Sequence, residues 1–340
     1  MTPVNLTYSV VSFLAAAAIC AGLLLLLRPW LARYALARPN ARSSHKVPTP
    51  QGGGIAVVAA TTIVVVVAET FFPIQLGDQL RLSIVFASAI GLTLVGVTDD
   101  LRPLDAIPRL MLQTAAVAAV VATLPADMHI VPGVPWWLDR AFMLVGGVWL
   151  VNLVNFMDGI DWMSVAEIVP ATAALGLFGL IGVLPPDATL VALAMCGAMI
   201  GFAPFNRPVA QIFLGDVGSL PIGLLLGWLL AVLAGGGHFA AAALLPLYYL
   251  ADATITLMRR LVNGEPIMQA HRSHFYQRAL DNGSSVNQIV ARVFALNVAL
   301  GLLALVTLLS GSALVGVAAF VTGLVLVALL LAAFSRPVVR

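Results

Sequence analysis

Eleven apolar runs, each near the 20 residues that a helix needs to cross hydrocarbon, dominate this chain. They fall at about 7–27, 54–72, 82–98, 110–125, 140–156, 166–184, 188–204, 217–234, 238–257, 289–309 and 312–334. No soluble packing hides so much apolar surface: 61% of the 340 residues are hydrophobic and 9% are charged, against about 25% charged in soluble domains. In lipid, backbone polar groups must be satisfied within the segment, so such runs become helices. The expected fold is an all-α polytopic membrane bundle of about 11 transmembrane helices, one domain over residues 1–340. Pro185-Pro186 marks the boundary between the sixth and seventh runs.

The distribution of charge orients the bundle. Loops at 28–53, 99–109, 157–165, 205–216 and 258–288, the tail after 334 and Arg292 at a helix edge carry 15 of the 17 basic residues. Only Arg81 and Arg140 fall on the other side. By the positive-inside rule the basic side is cytoplasmic, with the N-terminus outside and the C-terminus inside. No Lys or Arg precedes the first run, whereas Arg28, Arg33, Arg38, Arg42 and Lys46 follow it. That polarity predicts an uncleaved first helix rather than a secretory signal. Cys20 and Cys196 lie inside apolar runs and read as packing residues. The outer loops look short and plain apart from the interfacial pair Trp136-Trp137.

Polar chemistry gathers on the basic face, in five places. Asp99 and Asp100 end the third run side by side. Two carboxylates at a helix C-terminus oppose its dipole and each other, so a metal ion, a basic partner or a substrate is expected to offset them. Arg109 opens the fourth run, either as a positive-inside anchor or as an answer to the Asp pair or a phosphate. Asn152-Leu-Val-Asn155-Phe-Met-Asp158-Gly-Ile-Asp161 places amides and carboxylates at spacings of three, where Gly159 lets Asp158 and Asp161 turn toward one site. Asp216, between glycines in Phe213-Leu-Gly-Asp-Val-Gly-Ser219, suits either an N-cap or a Mg²⁺ ligand. Arg259-Arg260 precede Gln269-Ala-His271-Arg272-Ser-His274-Phe-Tyr-Gln-Arg278. If helical, that segment puts His271, His274 and Arg278 on one stripe as an anion site. Gln51-Gly-Gly-Gly54, after Lys46, reads either as a flexible entry to a helix or as backbone N–H groups open to an anion.

Carboxylates for a hard cation, amides for a nucleoside and basic groups for phosphates together suit a diphosphate with Mg²⁺. At this point the chain resembles the polyprenyl-phosphate sugar-1-phosphate transferases, the family of phospho-N-acetylmuramoyl-pentapeptide transferase. The matching pieces are SSHKVPTPQGGG, TDDLRPLDAIPRLMLQ, NLVNFMDGID, FLGDVGSLPIG and ADATITLMRRLVNGEPIMQAHRSHFYQRAL, in family order from residue 43 to 280. The resemblance implies transfer of a sugar-1-phosphate, of an N-acetylated hexosamine, from a UDP-sugar to a polyprenyl phosphate, releasing UMP. It implies Asp99, Asp100, Asp158 and Asp216 as catalytic residues, with Mg²⁺ (or Mn²⁺ in its place) on Asp216 and Asp158. It implies substrate binding by Lys46, Arg109, Asn152, Asn155, Asp161, Arg260, His271, Arg272 and His274. The expected partners are the UDP-sugar, undecaprenyl-type phosphate and the bacterial inner membrane, with a second copy as a homodimer and no nucleic acid.

The chain departs from many relatives at Arg109, where they carry Lys, and at Trp162, where they carry Gly. HRSH also differs from the muramoyl-pentapeptide enzyme, which points to a priming sugar for O-antigen, capsule or a similar surface polysaccharide. A transporter of a nucleotide sugar or lipid phosphate would also need intramembrane polar groups. It would need them at both faces, and no internal repeat supports one. A catalytically dead scaffold is disfavoured by the intact aspartates.

Overall fold

The computed structural model describes residues 6–37, 48–71, 76–131, 133–266, 269 and 271–337. Lys46 lies outside the described residues. Among the described residues thirteen helices follow in order: α1 (Leu6–Tyr34), α2 (Gly54–Phe71), α3 (Leu76–Leu101), α4 (Ala106–Ala122), α5 (Trp136–Met157), α6 (Met163–Leu180), α7 (Pro186–Phe202), α8 (Asp216–Gly235), α9 (Phe239–Leu244), α10 (Leu247–Val262), α11 (Phe275–Asp281), α12 (Val286–Ser310) and α13 (Ala313–Phe334). Two short strands, β1 (Leu36–Ala37) and β2 (Thr49–Pro50), pair antiparallel after α1.

Among the described residues eight helices, α1, α2, α3, α5, α6, α8, α12 and α13, are long and apolar enough to cross a membrane. The apolar α4 and α7 are shorter. The expected ninth run, 238–257, differs from the reading above: it is broken into α9 and α10 at Pro246. Proline has no N–H to continue the ladder, and α10 then turns Tyr248, Tyr249, Asp252 and Thr256 into the protein. Helix ends elsewhere follow local chemistry. Ser285 and Gln288 close a capping box on α12, and Gly311 ends that helix at φ 60°. Pro185 and Pro186 separate α6 from α7 as expected.

The helix most enclosed by protein is α8, which lies against α2, α3 and α5. A close crossing makes that possible. A Cβ on Gly54 would fall 2.1 Å from the Cα of Gly218. The Gly52, Gly53 and Gly54 N–H groups donate to the Phe213 and Leu214 carbonyls. The Gln51–Gly54 glycines are therefore packing and strand-pairing residues, not an open anion cradle, because the Phe213 and Leu214 carbonyls already occupy their donors. Cys20 and Cys196 are buried free thiols. The periphery is apolar and exposed, as on α13, where Leu314, Val317 and Val321 face outward.

The end of α5 remote from Asp158 is less plain than its sequence. Asp139 is fully buried and accepts the Ile130 and Val131 N–H groups. Arg140 donates to the Pro125 and Met128 carbonyls. These two charges give hydrogen-bond partners to the backbone of Pro125, Met128, Ile130 and Val131.

Candidate active site

The two carboxylates that oppose the α3 dipole are each matched by the start of another helix. Asp100 Oδ1 accepts the Asp216 N–H at 3.1 Å and Oδ2 accepts the Val217 N–H at 3.2 Å. It thus caps α8 from outside that helix, where negative charge is favoured. Gly215 is the N-cap of α8, at φ 77°, and Asp216 begins the helix without capping it. Asp99 Oδ1 accepts the Leu104 N–H at 2.6 Å, and its Oδ2 accepts Arg109 Nη1 at 2.7 Å from the first turn of α4. Of the two readings of Arg109, the geometry selects the partner of the Asp pair.

Asp216 stands at the centre. Its Oδ1 accepts Asn155 Nδ2 at 2.7 Å, and the same amide reaches Ser219 Oγ at 2.9 Å. Its Oδ2 lies 3.6 Å from Arg109 Nη1. Its carboxyl also touches that of Asp99. The Asp216 side chain is 27% exposed, so a ligand can reach it. Five residues from four helices, Asp99, Asp100, Arg109, Asn155 and Asp216, thus converge where α3, α4, α5 and α8 meet.

Asp158, at the C-cap of α5, stands next to this group. Its Oδ1 accepts Ser164 Oγ at 2.5 Å. Burial pushes its carboxyl up to about 7; the charges of Asp100 and Asp161 add to the rise, and Ser164 opposes it. Gly159 is required there, because a Cβ would fall 2.1 Å from Tyr276 Oη. That hydroxyl donates to the Phe156 carbonyl and ties α11 to the end of α5.

The other expected site residues divide. Asp161 is buried and its Oδ2 accepts the Ala210 N–H at 3.0 Å. Asn152 turns away from Asn155, donating to Gln113 Oε1 and the Val148 carbonyl, both at 2.8 Å. Arg260 is paired with Glu265 at 2.7 Å and Arg272 with Asp281 at 2.8 Å. The expected helical stripe of His271, His274 and Arg278 is corrected: residues 271–273 are not helical, and α11 begins at Phe275 with His274 as its N-cap. The two imidazoles still meet, with ring centroids 5.0 Å apart. His271 is half-buried, and burial with His274, Arg260 and Arg259 nearby pushes it down to about 4. Trp162 adopts φ 63°, the one left-handed non-glycine among the described residues. That is the conformation glycine takes most readily. The indole holds Trp162 there by donating to the Ala203 carbonyl at 2.6 Å.

Several participants were not singled out by the sequence: Ser164, Ser219, Gln113, Gln51, whose Nε2 donates to the Asp100 carbonyl at 2.9 Å, and Asp252, the partner of His274. Asp252 carried a signal, as a carboxylate inside an apolar run.

Among the described residues no three His, Cys, Asp or Glu side chains form a ready-made metal cage. Mg²⁺ does not require one. It takes one or two carboxylates and completes its shell with water and substrate phosphate. The touching carboxyls of Asp99 and Asp216, one of them open to solvent, fit that donor set.

Comparison with known proteins points to one family. The glycosyl transferase family 4 model matches residues 82–234. The chain is 25% identical over 276 residues to the "Probable undecaprenyl-phosphate N-acetylglucosaminyl 1-phosphate transferase" of Bacillus subtilis (strain 168), covering 76% of this chain and 74% of that one. It is 26% identical over 306 residues to the decaprenyl-phosphate N-acetylglucosaminephosphotransferase of Mycobacterium tuberculosis (strain ATCC 25618 / H37Rv), covering 76% and 72%. It is 30% identical over 274 residues to the phospho-N-acetylmuramoyl-pentapeptide-transferase of Rhodopseudomonas palustris (strain BisA53), covering 66% and 72%.

Proposed function

Because this chain belongs to glycosyl transferase family 4, we propose that it moves an N-acetylhexosamine-1-phosphate from a UDP-sugar to a polyprenyl phosphate. An oxygen of the lipid phosphate attacks the β-phosphorus, the bond to the α-phosphate oxygen breaks, and UMP leaves. The observation that carries this reading is the convergence of Asp99, Asp100, Asp216, Asn155 and Arg109 at one partly open point.

The residues have separable tasks. A phosphate monoester is mostly dianionic at pH 7, so the nucleophile needs positioning more than deprotonation. Bringing two anions into line is the harder problem, and fixed charge is the usual remedy. Arg109, held between Asp99 and Asp216, is the proposed donor to a phosphoryl oxygen. Asp100 locks α3 to α8, so that the carboxylates keep their spacing. Asn155 orients Asp216 through its amide. Asp216 and Asp99 would hold Mg²⁺, which would supply neutralisation of the diphosphate, with Asp158 as the further carboxylate at the end of α5. His271 and His274, joined to the cluster through Phe156, are the proposed contacts to sugar or diphosphate.

The finer reading is a priming enzyme for a surface polysaccharide such as O-antigen or capsule, in a bacterial inner membrane with the site on the cytoplasmic face. The excess of Lys and Arg in the loops that carry the site supports that orientation. The test uses purified protein in detergent with undecaprenyl phosphate, Mg²⁺ and a panel of UDP-sugars. UMP release that requires the lipid, greatest with a UDP-N-acetylhexosamine, is expected. Uptake of a UDP-sugar into sealed vesicles without UMP would replace the transferase by a carrier.

A further inference from the structure

Behind the histidines lies a carboxylate that the reaction above does not use. Asp252, on α10, has no solvent exposure, and five neighbours surround it. His274 Nδ1 lies 3.2 Å from Oδ1, the Phe275 N–H donates to Oδ1 at 3.0 Å, and Thr256 Oγ1 stands 3.4 Å from it. Oδ2 accepts the Tyr276 N–H at 3.2 Å and the Tyr248 hydroxyl at 3.3 Å. Every one of these neighbours can donate, and an ionised carboxylate only accepts. A proton on His274 Nδ1 therefore completes the set, and one on Nε2 alone would leave two acceptors facing each other.

Burial is graded along the same line. Asp252 is fully buried, His274 is 2% exposed, and His271, whose ring is 5.0 Å from that of His274, is only half-buried. The His274 ring is also fixed from its sides, by Tyr276 at 5.8 Å and Phe156 at 6.5 Å between centroids. Phe156 belongs to the same turn as Asn155 and Asp158, which joins this pair to the carboxylate cluster.

We propose that Asp252 is the positioning residue of the histidine pair. It holds the His274 proton on Nδ1, leaves Nε2 as the ring nitrogen turned away from Asp252, and through His274 sets where His271 stands against the substrate. A histidine fixed by a buried carboxylate keeps one tautomer and one ring plane, the arrangement by which outer-shell groups tune a working imidazole. The substrate part of this inference rests on the transferase reading; the tautomer part does not.

The experiment uses the full chain with ring-¹⁵N histidine, in detergent. The chain has five histidines, and His274→Gln identifies the His274 signals by their loss. The wild type is expected to show a protonated Nδ1 at His274, and Asp252→Ala to move that proton to Nε2. In the UMP-release assay Asp252→Ala should lower kcat/KM for the UDP-sugar by about tenfold or more, as outer-shell losses do. Asp252→Asn, which keeps an acceptor for Nδ1, should recover part of it. In the His274→Gln background, Asp252→Ala should add little, since two residues acting through one path are not additive. An unprotonated Nδ1 in the wild type, or losses that multiply in the double variant, overturns the proposal. If Asp252→Ala does not fold, the wild-type spectrum decides the tautomer and Asp252→Asn carries the kinetics. If the wild type releases no UMP from any UDP-sugar, the transferase reading falls and the spectrum still decides the role of Asp252.

Discussion

Gly96 lies one turn before Asp100 on α3, and its missing side chain decides the geometry of the site. A Cβ there would fall 2.3 Å from the Val217 backbone N and 2.4 Å from the Asp216 carbonyl oxygen. These are backbone atoms, so no rotamer change relieves the clash. Ordinary contact begins at 3.4 Å, so Gly96→Ala must separate α3 from α8 by about 1.1 Å (3.4 less 2.3). Added to the 3.1 and 3.2 Å bonds between Asp100 and the start of α8, that shift gives separations of about 4 Å, beyond hydrogen bonding. Each such bond contributes about 1–3 kcal/mol. Overpacking itself costs about 1–3 kcal/mol. A displacement of about 1 Å at a catalytic group commonly lowers turnover about 100-fold. The expected result is a protein that still inserts and purifies, melts lower, and releases UMP about 100-fold more slowly. Gly91→Ala is the control: it sits on the same helix with nothing within 4 Å of a new Cβ, and should be neutral or slightly stabilising. Near wild-type turnover for a folded Gly96→Ala would refute the claim that α3–α8 spacing sets the site.

Asp216→Asn and Asp99→Asn should each lower turnover by about 10²–10³-fold, the range for losing a preorganised electrostatic group, with insertion unchanged; residual rates near wild type would remove that residue from the site. Arg109→Lys keeps the charge but replaces a fork by a point donor, so it should retain more activity than Arg109→Ala, and equal losses in the two variants would contradict a neutralising role. The Asp158 carboxyl is raised to about 7 from an unfolded value near 3.9. Its contribution to stability is therefore fully present below about pH 4 and is lost as pH rises through about 7. Added Mg²⁺ should then raise the melting temperature more at pH 8 than at pH 5, and an equal shift at both would separate Asp158 from the metal. Gly159→Ala should collide with Tyr276 Oη and lower both stability and turnover, and Tyr276→Phe should restore part of the stability in the double variant; no coupling between the two would contradict that contact.

The sequence by itself determined the class of protein and pointed to the side chains that gather at its candidate site. Apolar runs of spanning length leave only helices in lipid, and charged side chains at membrane level survive only where something offsets them. Asp99-Asp100, Asn155, Asp158 and Asp216 were legible for that reason. Their partners were not, because partnership is set by which helices touch. Asp100 caps a helix that begins 116 residues later, and Asn152 and Asn155, three residues apart, face α4 and α8 respectively. No local spacing encodes either choice. The break at Pro246 and the fate of the Gln51–Gly54 glycines depended on packing in the same way. One apolar run could continue or bend, and one glycine loop could cradle an anion or admit a second helix, until α8 took the space and the Phe213–Leu214 backbone before it took the donors.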